Sequence, residues 1–187
     1  MKNKVLIGVV IAIVLVAGYL VSAYNNFTGL NVQIDTQWAQ VEAQYQRRFD
    51  LIPNLVNLTE GALQQEKEVF GNIADARTRY AGAKSIDEKA QAATQLEGSL
   101  ARLLVVMENY PQLKSLDSIE SMKVQLEGTE NRVSVERIRF NDFVGQYNIA
   151  TKRFPGNLLA KMFGFEARSF FEAASGSEVA PVIDITK

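Results

Sequence analysis

The sequence contains no cysteine and no histidine among its 187 residues. Without cysteine, no disulfide, thiol nucleophile or lipid-modified cysteine anchor can form, and the chain is indifferent to redox compartment. Without either residue, the usual zinc sites, haem ligation by histidine and nucleophile–histidine catalysis are all excluded. We therefore predict a protein that is not an enzyme and that holds no metal and no cofactor.

Strong charge of one sign is also missing. The chain carries 20 basic and 21 acidic residues, a formal net charge of −1. Nucleic acid binding needs a concentrated basic face, and no basic run is present. We therefore expect no nucleic acid partner. Hydrophobic residues make up 47% of the sequence, which is enough for a buried core in one domain of ordinary size.

One long run contains no charge at all, Val5–Tyr24 (VLIGVVIAIVLVAGYLVSAY). At ~1.5 Å per residue, a helix of this length crosses the ~30 Å hydrocarbon layer of a membrane. Lys2 and Lys4 precede the run, and the first charge after it is Asp35. The positive-inside rule then predicts a single-pass protein of the cytoplasmic (inner) membrane, with a cytoplasmic N-terminus and the rest on the extracytoplasmic side.

A cleaved signal peptide is the alternative interpretation of this run. Val21-Ser22-Ala23 resembles a small-residue cleavage site. The apolar run is longer than the ~7–15 residues typical of a signal peptide, which favours an uncleaved anchor.

The remaining sequence shows helical periodicity, and no stretch alternates as a half-buried strand does. Apolar residues recur in alternating steps of four and three, which is typical of helices packed at a shallow angle. The first seam comprises Ile34, Trp38, Val41, Tyr45, Arg48, Ile52, Leu55, Thr59, Ala62, Glu66, Val69, Ile73, Ala76 and Tyr80. Two later rows are Ala93, Leu96, Leu100, Leu103, Met107 and then Ile119, Met122, Leu126, Thr129, Val133, Glu136, Phe140, Phe143, Tyr147, Ala150, Phe154. The pattern predicts an all-α fold, an N-terminal transmembrane helix followed by an antiparallel up-and-down helical bundle.

Pro53 lies inside the first seam and leaves two alternatives. An interior proline removes one backbone hydrogen bond and kinks or ends a helix. In the first alternative the chain breaks at Asp50–Pro53, Asp50 caps a second helix, and the last long helix returns towards the membrane. In the second, one rod continues to Tyr80 with only a kink, and the last helix runs away from the membrane. The unbroken seam favours the rod, and the proline favours the break.

The chain divides by composition and by its helix-start signals. Ser85 and Glu88 match a capping box, and Ser118 is the next expected cap. We predict a signal-anchor helix in residues 1–25, the bundle in 26–157, a short aromatic helical segment in 158–174 and a disordered tail in 175–187.

Two sets of residues are candidates for a functional site. Polar residues near Pro53, on the seams or on the charged surface of the last long helix could fix helix register or line a ligand or partner site. They are Arg47, Arg48, Asp50, Asn54, Glu66, Glu130, Arg132 and Glu136. A buried carboxylate among them needs a cationic or hydroxyl partner. Aromatic residues near the C-terminus either contact the membrane surface or plug the bundle end, and these are Phe163, Phe165, Phe170 and Phe171.

Several strings of the sequence resemble the LemA family in order along the chain. They are QRRFDLIPNLV at Gln46–Val56, ENYPQLK at Glu108–Lys114, LEGTENR at Leu126–Arg132 and RFPGN at Arg153–Asn157. The resemblance implies a bacterial membrane protein with a four-helix, up-and-down type of bundle. It implies no particular reaction. Because it implies four helices, it slightly favours the break at Pro53.

Two functions from different classes fit these observations. The first is a scaffold or interaction protein of the bacterial cell envelope, which contacts lipid through Val5–Tyr24 and a protein partner, or copies of itself, through the bundle. The alternative is an envelope sensor with a small-ligand or metal site inside the bundle, lined by the residues around Pro53. A filled core would favour the first, and a cavity with convergent polar groups would favour the second.

Overall fold

A computed structural model describes residues 2–59, 67–110, 113 and 116–171. These residues form α1 (Lys2–Thr59), α2 (Lys67–Gly82), α3 (Ile86–Glu108), α4 (Asp117–Lys152) and α5 (Gly156–Phe163). The predicted all-α fold is confirmed. Glu66 and the predicted tail of residues 175–187 lie outside the described ranges.

Helix α1 is 58 residues long and continues through Pro53. The predicted break at Asp50–Pro53 is therefore wrong, and Asp50, inside the helix, caps no helix start. Pro53 lies on an exposed face of α1. The proline ring therefore meets no packed neighbour, and an interior proline can kink a helix without ending it.

The seam does not, however, continue as one rod to Tyr80. The Tyr80 ring centroid lies 5.5 Å from that of Tyr45 and 4.7 Å from that of Phe49. In one continuous helix, Tyr45 and Tyr80 would be about 50 Å apart at ~1.5 Å per residue. The chain therefore reverses between Thr59 and Lys67, several residues after the predicted break. Helix α2 thus runs back along the second half of α1, as the first alternative predicted, although the reversal follows Thr59 and not Asp50–Pro53.

Helix α3 begins with the predicted capping box. The Glu88 amide donates to Ser85 Oγ over 3.2 Å, and the Ser85 amide donates to Glu88 Oε2 over 3.3 Å. The Lys84 amide donates to the same carboxylate over 2.7 Å. Helix α4 begins at Asp117, one residue before the predicted cap Ser118.

The described residues divide into two compact units. Unit 1 lies in Met1–Val41 and Val135–Phe170, and unit 2 in Glu42–Ser134 and Phe171–Lys187. Helices α1 and α4 contribute to both units.

Unit 2 is a bundle of four helical segments, the later part of α1, α2, α3 and the first part of α4. Contacts of Glu68 with Arg102 and of Arg79 with Gln95 show that α2 and α3 are antiparallel. The predicted seam residues form its core. Buried positions include Tyr45, Ile52, Leu55, Val69, Ile73, Ala76, Ala93, Leu96, Leu100, Leu103, Met107, Ile119, Met122, Leu126 and Val133.

Unit 1 pairs α1 with the second part of α4. Trp38 contacts Phe140 edge to face, with ring centroids 5.4 Å apart, and the Gln37 side chain bonds that of Glu136. The predicted seam shifts near its end. Phe154 is 75% exposed, whereas Val144, Asn148 and Thr151, which were not on the predicted seam, are buried. A helix of 3.6 residues per turn drifts by ~20° per heptad from a strict seven-residue repeat, which accounts for the burial of Val144 in place of Phe143. Phe154 lies beyond Lys152, the last residue of α4, and is not part of the helix.

The first part of α1 is long and apolar enough to cross a membrane. Its apolar side chains are exposed, as at Leu15, which is 68% exposed. This is the expected state of a helix whose neighbours are lipid. The apolar helix supports the predicted membrane anchor.

Candidate functional site

Unit 2 contains a set of polar side chains among its buried apolar residues, here called the polar layer. Its members are Glu42, Tyr45, Arg48, Tyr80, Lys89, Glu97 and Glu130. Three of them lie on successive turns of α1, because residues three apart share a helix face. The other four come from α2, α3 and α4, so the layer joins all four segments of unit 2.

Arg48 is the most buried charge of the polar layer. Its side chain is 6% exposed, and its Nη1 pairs with the carboxylate of Glu130, whose side chain is 45% exposed. A buried guanidinium needs such a partner, because an unpaired charge inside a protein is strongly destabilising. The structure thus brings together two of the predicted polar residues.

Tyr45 makes the second polar contact of the layer. The residue is fully buried, and its hydroxyl donates to Glu97 Oε1 over 2.8 Å. A buried tyrosine hydroxyl usually finds such an acceptor. This bond fixes the register of α3 against α1 within unit 2.

Tyr80 packs on Phe49 and Tyr45, and its hydroxyl is buried without a hydrogen-bond partner in the described part of the chain. Burial raises the pKa of Tyr80, and the negative charge of Glu42 raises it further. Lys89 pairs with Glu42, and its Nζ lies 6.0 Å from the Tyr80 ring centroid. Tyr80 is therefore a neutral phenol at physiological pH.

The other predicted polar residues do not join this layer. Arg47, Asn54 and Arg132 are exposed. Asp50 accepts a 2.9 Å hydrogen bond from Gln46 on the surface of α1. Glu136 belongs to unit 1, where it accepts from Gln37 over 2.7 Å and from Arg139 over 2.8 Å.

The C-terminal aromatics divide into two pairs. Phe163 and Phe165 meet Tyr24 edge to face, with centroids 5.3 Å and 5.6 Å away, and Phe165 also meets Phe27 at 5.4 Å. Phe170 is 49% exposed, whereas Phe171 is buried. Contact of these residues with a membrane surface stays a prediction.

Sequence reasoning missed Glu42, Lys89 and Glu97 as members of the polar layer. Periodicity identifies Arg48 because a charge on an apolar seam is conspicuous. A polar residue beside a seam has no such signal, because its role depends on how the neighbouring helix is rotated.

A polar groove of about 370 Å³ runs between α2 and α3. It is lined by Val69, Asn72, Asp75, Ala76, Arg79, Gln95, Gly98, Ser99 and Arg102. A Cβ atom added at Gly98 would have no neighbour within 4 Å, so the groove is open above α3. Among the described residues, no three acidic side chains lie close enough together to hold a metal ion.

The structure therefore defines an all-helical protein with a candidate membrane anchor. Its bundle contains a polar layer and an open groove. Residues 37–185 match the LemA family, and the chain belongs to that family. It is similar to magnetosome proteins MamQ 2 and MamQ 1 of Paramagnetospirillum magneticum, each 26% identical over 93% of this chain and 73% of the relative. It is also 25% identical to magnetosome protein MamQ of Magnetospirillum gryphiswaldense, over 88% of this chain and 70% of the relative.

Proposed function

We propose that this chain is a single-pass protein of the bacterial cytoplasmic membrane that acts as a scaffold or interaction protein of the cell envelope. The observation that carries the proposal is helix α1. One unbroken helix supplies both the apolar segment Val5–Tyr24 and one wall of the unit 2 core. A bundle built on the anchor helix itself is well suited to holding a partner at a membrane.

The proposed orientation has a cytoplasmic N-terminus and an extracytoplasmic bundle. Lys2 and Lys4 lie before the apolar segment, and no charge follows it until Asp35. Basic residues near a span favour the cytoplasmic side.

We further propose that the protein catalyses no reaction of its own. The charges of the polar layer form ion pairs with one another, as in the pairs of Arg48 with Glu130 and of Glu42 with Lys89. Tyr80 is held neutral by burial. Such a layer fixes helix register, which is the best-attested use of polar residues in a helical core.

The α2–α3 groove is the proposed partner-binding surface. Its polar lining and open Gly98 leave room for a side chain or helix of another protein. The names of the MamQ relatives refer to the magnetosome and to no reaction. They do not identify the partner of this chain.

Site-specific photocrosslinking in native membranes tests this function. A photoreactive residue replaces Asn72 in the groove, and a matched control replaces Glu127, which is exposed on α4. We expect a discrete adduct from position 72, identified by mass spectrometry, and none from position 127. Equal or absent adducts at both positions would reject the groove as the partner surface.

A small-ligand sensor is the second candidate function, and one observation favours it. Arg79 and Arg102 both line the groove, where they could hold an anionic ligand. Arg79 already contacts Gln95 over 3.1 Å and Arg102 contacts Glu68 over 3.4 Å, so both cations are partly occupied. Retention of a small anion during purification of the wild-type protein, and its loss on Arg79→Gln, would favour the sensor over the scaffold.

A further inference from the structure

The corner between α4 and α5 exposes an unusual amount of apolar surface. Phe154 is 75% exposed, Leu158 60% and Met162 59%. Leu158 and Met162 are four residues apart in α5 and so lie on the same face of that helix. The three side chains form one exposed apolar surface, here called the foot.

The opposite face of α5 packs within unit 1. Ala160 is 3% exposed, and Gly156 allows the helix to approach closely. A Cβ atom at position 156 would meet the Ala150 carbonyl oxygen and would lie 3.5 Å from the Phe27 ring. Because α5 is held by this inner face, its outer face, the foot, is presented in a fixed direction.

The foot lies beside the end of the apolar segment. A pocket of about 280 Å³ is lined by Tyr19 and Ser22 of that segment and by Arg153 and Phe154 of the corner. From Tyr19 to Tyr24 the helix rises only about 8 Å. The corner is therefore level with the last turns of the apolar segment, where a bilayer has its headgroup layer.

The charged residues within the corner, at positions 152–162, are all basic. Lys152, Arg153 and Lys161 are exposed, and no acidic residue lies between Asp142 and Glu166. The neighbouring stretch of α1 is also uncharged from Val5 to Ile34. Each basic residue near an anionic membrane surface strengthens binding to that surface by about fivefold.

We infer that the α4–α5 corner is a binding surface for anionic phospholipid. Phe154, Leu158 and Met162 enter the interfacial layer, and Arg153 with Lys161 contacts the lipid headgroups. Apolar side chains on one face of a short helix, flanked by lysine and arginine, are the features of an interfacial membrane contact. The inference rests on the proposed membrane span and adds a second, lipid-selective contact to it.

Fluorescence quenching in vesicles tests the inference. Because the chain lacks cysteine, full-length Leu158→Cys, Val14→Cys and Val124→Cys variants each take one environment-sensitive fluorophore. They are reconstituted in phosphatidylcholine containing phosphatidylglycerol, with a quencher on the headgroup of either lipid. Val124 is exposed in unit 2 and serves as the water-accessible control.

We expect strong quenching at position 158, little at position 124, and at least severalfold more from the phosphatidylglycerol quencher than from the phosphatidylcholine quencher. Arg153→Gln with Lys161→Gln should abolish that preference. Arg77→Gln with Arg132→Gln, an equal change of charge at exposed sites in unit 2, should leave it intact.

Other results would overturn the inference in distinguishable ways. A label at position 14 that is shielded from water, with one at 158 as accessible as at 124, would reject the foot and retain the span. A water-accessible label at 14 would reject the span, and with it the proposed function. Loss of the signal at 158 on dilution to one chain per vesicle would assign the foot to a second copy of the chain.

Discussion

Unit 2 packs aliphatic side chains and one aromatic cluster, Tyr45, Phe49 and Tyr80, between four helical segments, whereas unit 1 joins fewer helices through separate aromatic contacts. In unit 2 the buried side chains include Leu55, Leu96, Leu100 and Leu126. In unit 1 the corresponding contacts are Trp38 with Phe140, and Phe165 with Phe27 and Tyr24.

The difference follows from geometry. Four helical segments enclose a central space that aliphatic residues fill from all sides. With fewer helical segments, unit 1 encloses its contacts with large rings, and Phe140 is 1% exposed. Unit 2 includes a polar layer that joins four segments, whereas the buried contact of Gln37 with Glu136 in unit 1 joins only α1 and α4.

The largest expected effects come from truncating one core residue in each unit. Phe140→Ala in unit 1 should lower the free energy of unfolding by ~3–5 kcal/mol and Leu100→Ala in unit 2 by ~2–5 kcal/mol. Both residues are 1% exposed. Denaturant titrations of the full chain in detergent measure both effects, with exposed Ile149→Ala as the control. Silent results at both positions would show that the seams are not the core.

Glycine substitutions should have opposite signs in the two units. Gly156→Ala should destabilise unit 1 by ~1–3 kcal/mol, because the new methyl group meets the Ala150 carbonyl oxygen. Gly98→Ala in α3 of unit 2 meets no atom within 4 Å and should stabilise by ~0.5–1 kcal/mol. Thermal melts of the two variants compare them directly. The same sign for both would contradict the close approach at Gly156.

The polar layer should respond to loss of the Glu130 charge. Glu130→Gln should destabilise by ~1–2 kcal/mol, less than for a fully buried pair because Glu130 is partly exposed. The loss arises chiefly from leaving Arg48 buried without its partner. Adding Arg48→Met should restore part of the stability. Strictly additive effects in this double-mutant cycle would show that the two side chains do not interact.

Tyr45→Phe should have a smaller effect. It removes the hydroxyl that donates to Glu97 and should lower stability by ~0.5–1.5 kcal/mol. Glu97→Gln tests the same bond from its other side, and denaturant titration measures both variants. If Tyr45→Phe left stability unchanged while Glu97→Gln lowered it, the Glu97 carboxylate would have a different main partner.

Tyr80→Phe should have the smallest effect at neutral pH, within about 0.5 kcal/mol, because no hydrogen bond is lost. The difference appears in alkali. The pKa of Tyr80 is raised in the folded state, because burial favours the neutral phenol. The contribution of this preference to the free energy of unfolding is complete below the ordinary pKa of about 10 and is lost as pH rises above that value. Stability measured from neutral pH into strong alkali should therefore fall less steeply for Tyr80→Phe than for the wild type. Identical slopes would contradict the burial of the phenol.

The sequence predicted the helical class and most buried positions because helix packing repeats with a short, fixed period. Leu96, Leu100 and Leu103 needed no structure to be assigned to the core. The reversal after Thr59 was missed because periodicity reports which face of a helix is buried and not in which direction the chain runs. Val69 happens to keep the heptad phase of α1, so the seam in the sequence shows no interruption between the two helices.

The candidate site was predicted less completely. Arg48 and Glu130 were identified because charges on or near apolar seams must find partners. The contacts of Tyr45 with Glu97 and of Glu42 with Lys89 depend on the rotation of α3 about its axis, which one sequence does not specify. The exposed apolar surface at Phe154 was not predicted from the sequence, because Phe154 had been assigned to a seam and is 75% exposed.

The central claim is an anchor helix that holds the bundle outside the cytoplasm. Because the chain has no cysteine, single variants Asn3→Cys and Glu127→Cys can be labelled in spheroplasts with a membrane-impermeant maleimide. We expect rapid labelling at position 127 and labelling at position 3 only after the membrane is opened. Labelling at position 3 with protection at position 127 would reverse the orientation, and free labelling at both without membrane association would contradict the anchor itself.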